Sequence, residues 1–199
     1  MSMFLAPIHS WMFAKIQAQD ALTERMAKLA VDKGWLTPED AGAFIHEETK
    51  PLAELVGDDI HGGLSALIDA AEERYATLAG RLLNGHDDRL DDLKAVAYDF
   101  GKEHAAEPDS RPQDCFDAIQ DVLLDGMPCD GVNLVTDKVP EHFSWERRFD
   151  VHGDRWAENG RSAEDYNTLR RQIIAGILAD TRYAVMTNDD QHYSLVSQA

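Results

Sequence analysis

The chain has 199 residues with 37 acids against 19 bases, a net charge of −18 at neutral pH. A field of that sign repels nucleic acid and anionic membrane surfaces, so neither is expected as a partner. With 44% hydrophobic and 28% charged residues, the composition is that of an ordinary globular chain, long enough to bury its own core without staples.

Helical periodicity begins at once. Ile8, Trp11, Met12, Ile16, Leu22, Met26 and Leu29 predict a helix from about Pro7 to Lys33, with Pro7 in its first turn and Gly34 as its stop. The apolar opening Met1–Phe13 lacks a basic leader and a small-residue cleavage site and is too short to span a bilayer, so a cytoplasmic protein is expected. Thr37 followed by Pro38, Glu39 and Asp40 is a helix start, with the acids at the positive end of the dipole. That second helix carries Phe44, Ile45, Leu52, Leu55 and Val56, and Pro51 within it predicts a kink or a restart. The third is the most regular. Asp58 or Asp59 caps it, Ile60, Leu64, Leu67, Ile68, Ala71, Tyr75, Leu78 and Leu82 form its stripe, and Gly85 ends it. A fourth follows, with Leu90, Leu93, Ala97, Phe100 and His104 on one face, and a short fifth is built on Phe116, Ile119, Val122 and Leu123.

After the stretch "GMPCDG" the period changes. "VNLVT" and "HFSWERRFDV" read as strands, "SAEDYNTLRRQIIAGILADT" returns to helix behind a Ser162 cap, and "RYAVMTNDDQHYSLVS" reads as a hairpin turned at "NDD". Five helices and then strand, strand, helix and hairpin predict an α+β fold: an N-terminal bundle-like helical layer over residues 1–130, then a small, mostly antiparallel sheet with one further helix over residues 131–199, the two packed as one domain. That order over the last third faintly resembles the C-terminal part of the L-2-amino-thiazoline-4-carboxylate hydrolase-like family. Cysteines mark the strands there, this chain has none after Cys129, and the likeness carries no residue across.

Arginine is concentrated late in the chain. Residues 1–130 hold 26 acids and 11 bases, whereas residues 131–199 hold 11 and 8, so the C-terminal third is better able to receive an anion. Its densest chemistry is "SWERRFDVHGDRW", residues 144–156. Read as one strand, one face carries Glu146, Arg148, Asp150 and His152, and the other Trp145, Arg147, Phe149 and Val151. An arginine fork holds a carboxylate on two points, and a histidine beside Asp150 or Asp154 titrates near neutrality. The expectation is therefore a cleft between helices and sheet that binds a small anionic metabolite, with a hydrolase-like activity as one outcome. Arg148 and one of Arg170 or Arg171 would anchor the anion. His152, oriented by Asp150 or Asp154, would act as base if chemistry occurs, and Trp145, Trp156 and His9 would wall the cleft. Leu169 and Ile173 bracket Arg170 and Arg171, so one of these must approach the core and needs a carboxylate, with Asp150 or Glu146 as candidates.

The rival reading is a non-catalytic interaction protein that docks a basic partner on its acidic helical surface. No cofactor and no metal site are expected: the eight histidines form no HxxxH, HExxH or ExxH pair, and "LLNGHDD", which is like the His-Asp pair of metal phosphohydrolases, is broken by Gly85. Cys115 reads as a small buried hydrophobe, and Cys129 lacks any nucleophile signature. The paired glycines of "HGGLS" open a helix with no strand before them, which favours close packing over phosphate binding.

Overall fold

The computed structural model describes residues 5–46 and 50–198. Residues 1–4 of the apolar opening and residues 47–49 of the expected second helix lie outside the described residues. The fold is α+β, with the helices preceding a four-stranded antiparallel sheet.

Helix α1 (Pro7–Asp32) and helix α4 (Ile60–Leu83) form the central pair. Pro7 opens α1, and Gly34, at φ +71°, takes the chain out of it. Asp59 caps α4 by accepting the Gly62 amide at 2.9 Å. The expected second helix is two short ones, α2 (Pro38–Gly42) and α3 (Leu52–Val56). Pro51 is the cap of α3, extended at ψ 145°, because a proline there can begin a helix but not continue one. Helices α5 (Leu90–Glu103) and α6 (Pro112–Val122) complete the helical layer.

Strands β1 (Asn133–Val139) and β2 (His142–Arg147) then pair, and after helices α7 (Gly153–Glu158) and α8 (Ala163–Ile177) come β3 (Tyr183–Met186) and β4 (His192–Ser197). The sheet order is β1-β2-β4-β3. Phe143, Trp145 and Arg147 of β2 alternate inward, and Trp145 stacks on its cross-strand partner Tyr193 with ring centroids 5.1 Å apart. One apolar core joins α1, α4, α5, α6 and α8 to this inner sheet face, and a smaller one lies between the first half of α1, α3 and the first half of α4.

The strand expected to run through Val151 stops at Arg147. Asp150 ends the extended run: its Oδ1 accepts the backbone amides of His152 at 3.0 Å and Gly153 at 3.1 Å, which turns the chain into α7. The row Glu146, Arg148, Asp150 and His152 is therefore not the face of one strand.

Helices α5 and α8 cross where glycine meets helix backbone. A Cβ at Gly176 would fall on the Tyr98 carbonyl, and one at Gly101 on the Ile173 carbonyl. This close approach sets the depth at which α8 enters the core.

Candidate functional site

Beneath the sheet, α1, α4, α8 and the loop after α6 enclose a chain of polar groups with almost no contact with water. It runs from Gln19 through Glu72, His152 and Asp125 to Arg170. Gln19 donates to Glu72 Oε1 at 2.7 Å, and His152 Nδ1 lies 2.8 Å from Glu72 Oε2. His152 Nε2 lies 3.4 Å from Asp125 Oδ1, and Arg170 grips both Asp125 oxygens at 2.6 and 2.9 Å. Asn133 of β1 donates to Asp125 Oδ2 at 2.8 Å. Tyr166 stacks on the His152 ring with centroids 3.8 Å apart.

The charge states follow from this geometry. An ionised carboxylate only accepts, so a ring held between two of them donates from both nitrogens and is an imidazolium. Burial works against that charge, but the Glu72 and Asp125 carboxylates outweigh it and raise the His152 pKa above its ordinary value. Burial alone would raise the Asp125 pKa, yet Arg170 and His152 hold it well below the usual carboxylate range.

Lys15 of α1 stands at the edge of this network. It is only 3% exposed, yet among the described residues no hydrogen bond or salt bridge reaches its ammonium. The ammonium lies over the face of Trp11, 4.4 Å from the ring centroid. Burial lowers its pKa to about 8, against the pull of Asp125 and, more weakly, Asp121, while the like charge of Arg170 adds to the fall. The cluster thus holds three cations, Lys15, His152 and Arg170, against two buried carboxylates, Glu72 and Asp125. Asp121, which accepts the Trp11 indole N–H at 2.7 Å, adds its field to that of Asp125 at Lys15, so carboxylates act on the ammonium although none is bonded to it.

Two hollows flank the loop that carries Asp125. The first, about 200 Å³, lies between α1, α6 and β1, and Lys15, Gln120, Asp125 and Asn133 line it among the apolar walls of Trp11 and Phe116. Within it, Asn133 donates to Gln120 Oε1 at 3.1 Å, which leaves Gln120 Nε2 and Asn133 Oδ1 buried without partners. The second, about 240 Å³, opens between α4 and residues 151–155 and has Glu72 and His152 in its wall with Asp69, Asp130 and Arg155. Arg155 is already engaged there by Asp69 at 3.0 Å and Glu73 at 3.4 Å. Among the described residues no group of His, Cys, Asp or Glu is placed to hold a metal ion, and no helix is long and apolar enough to cross a membrane.

The structure brings two of the sequence-selected residues, His152 and Arg170, into one network. The partner of Arg170 is Asp125, in place of the expected Asp150 or Glu146. Asp150 supports the turn at His152 and pairs with Arg147 at 2.9 Å, and it does not touch the imidazole. Arg148 is exposed and lies over Phe149. Arg171 pairs with Asp190 and Glu164 at the surface of α8. Trp145 and Trp156 are fully buried core rings, so they wall no cleft. His9 accepts the Ala6 amide at 3.1 Å and meets His61 edge-on at the far end of α1.

Sequence reasoning missed Lys15, Gln19 and Glu72, although a signal for them existed. The spacing 12, 15, 19, 22, 26 places Lys15 and Gln19 on the inward stripe of α1, and 68, 72, 75, 79 does the same for Glu72 in α4. Asp125 sits in a loop and had no such signal. Compared with known proteins, the chain matches no family model, no curated protein and no solved structure.

Proposed function

We propose that the protein binds a small organic anion in the hollow between α1, α6 and β1, with Lys15 as its charge partner. The observation that carries this reading is a largely buried lysine at the wall of a hollow, with no carboxylate bonded to its ammonium. An ammonium removed from water without a counter-ion costs several kcal/mol, so it titrates or acquires an anion. Lys15 is still mostly charged at pH 7, and it lines a space large enough for a ligand. The hollow pairs aromatic and aliphatic walls with few polar groups, as small-molecule sites do. Gln120 supplies an unused amide donor whose terminal torsion is soft enough to turn toward a ligand. The anchoring role expected of Arg148 passes to Lys15. His152 has both nitrogens engaged and serves to hold the neighbouring charges in place.

Melting curves in acetate, lactate, glyoxylate and inorganic phosphate, each against sodium chloride of equal ionic strength, test the reading. A ligand at one hundred times its Kd stabilises by about 2.7 kcal/mol. The native chain should be stabilised by at least one of these anions and Lys15→Met by none. If none of them stabilises the native chain, or if Lys15→Met responds equally, the reading fails, and contact with other macromolecules through the acidic surface is what remains.

A further inference from the structure

We propose that Lys15 is a carbonyl-reactive amine, and that the hollow it lines takes small oxo acids and holds them as an imine on Nζ. This rests on the anion-binding reading and adds the substrate class to it.

The placement of the amine argues for the chemistry. Surface lysines are strongly hydrated, charged and mobile, and few are neutral at any moment. Lys15 is fixed in a helix, 97% covered, bonded to no carboxylate, and set against an aromatic ring at the wall of a cavity of about 200 Å³. Desolvation is one of the devices that activate a lysine as a nucleophile, and here it outweighs the opposing pull of Asp125 and Asp121, with Arg170 acting in the same direction as burial. With a pKa of about 8, roughly a tenth of the side chains are neutral at pH 7, against fewer than about one in a thousand for an ordinary lysine.

The step balances without any further reagent. The lone pair of neutral Nζ adds to the carbonyl carbon, the carbonyl oxygen takes one proton from Nζ and a second equal to the one the ammonium released on becoming neutral, and the carbinolamine expels that oxygen as water to leave a C=N bond. The imine nitrogen carries a proton and a positive charge, so the charge balance is that of the lysine ammonium. A carboxylate on the same ligand therefore stays paired with it, which is why an oxo acid fits better than a neutral aldehyde.

The experiment is reductive trapping. The native chain is incubated with glyoxylate and sodium cyanoborohydride, and the adduct at each of the seven lysines is measured by peptide mass spectrometry. Lys15 should be modified about tenfold or more faster than any other lysine, and excess acetate should slow it selectively. Lys15→Arg keeps the charge but offers no free amine, so it should lose the preferential adduct while carboxylates still raise its melting temperature. Lys15→Met should lose both. Adduct spread over the lysines in proportion to their exposure overturns the imine. If carboxylates still stabilise the native chain in that case, the anion reading stands alone, and if they do not, both fall.

Discussion

At the scale of single residues, the balance of buried charge decides what each side chain contributes. Lys15 is destabilising as long as it is unpaired. Its folded pKa of about 8 lies below the ordinary 10.5, so between those values the unfolded chain binds more protons and stability rises with pH. The full penalty applies below pH 8, about 3 kcal/mol or less from the size of the shift. In the absence of ligand, Lys15→Met should therefore be more stable than the native chain at pH 7 in urea denaturation, and the gap should shrink toward pH 10. A gap that does not change with pH would show that the amine is not buried as described. The opposite sign applies to Asp125, whose carboxylate serves Arg170, His152 and Asn133 together. Asp125→Asn leaves the buried His152 and Arg170 with Glu72 as their one buried carboxylate, and breaking a buried pair in this way should cost about 3–5 kcal/mol, read from the same denaturation curves. Arg170 was legible in the sequence because it is a charge bracketed by apolar neighbours. Lys15 and Glu72 had equal claims on their own stripes. What they meet there comes partly from distant segments, as Glu72 meets Gln19 and His152, and sequence spacing reports only which side of a helix a residue is on.

At the scale of elements, the boundaries that could be read are those set by local chemistry. Thr37 caps α2 by accepting the Asp40 amide at 3.1 Å, Asp59 caps α4, and Gly85 at φ +76° follows its end. The C-terminal hairpin formed where its alternation placed it. The boundary that could not be read, from β2 to α7, depends on one side chain, Asp150, accepting two amides. In the sequence the same residue looked like the next step of an alternating strand. The crossing of α5 and α8 was equally silent, because a glycine in a helical stretch does not say what approaches it. That crossing gives a paired test. Replacing a helical glycine with alanine gains up to about 1 kcal/mol in propensity. At Gly176 the added methyl meets the carbonyl of Tyr98 and, 2.8 Å away, the amide of Lys102, neither of which can swing aside. The gain is outweighed by overpacking of about 1–3 kcal/mol or more, so Gly176→Ala should lower the melting temperature by several degrees. Gly42→Ala, at the end of α2 with nothing within 4 Å, should leave it unchanged or slightly raised.

At the scale of the whole molecule, the two halves of the charge distribution respond differently to salt. The surface carries the bulk of the 37 acids, in runs such as Asp87, Asp88, Asp91 and Asp92, which are exposed or partly exposed; Asp87, Asp91 and Asp92 each meet one cation there, yet over the whole chain acids outnumber bases by 37 to 19. Their mutual repulsion opposes compaction, and a Debye length that falls from about 30 Å at 0.01 M salt to about 3 Å at 1 M removes it. The exposed ion pairs lost to the same screening are worth at most about 1 kcal/mol each, and many contribute nothing measurable. The buried chain from Glu72 to Arg170 is shielded from solvent ions and keeps its strength. Sodium chloride should therefore raise the melting temperature steadily over that range, both in the native chain and in Lys15→Met, because the surface charge is almost the same in the two. The increment that an organic anion adds through Lys15 should shrink over the same range, since chloride competes for that ammonium. A melting temperature that falls with salt would mean that surface ion pairs outweigh repulsion, and the excess of acids would then have to be offset by contacts between subunits or with a cationic partner.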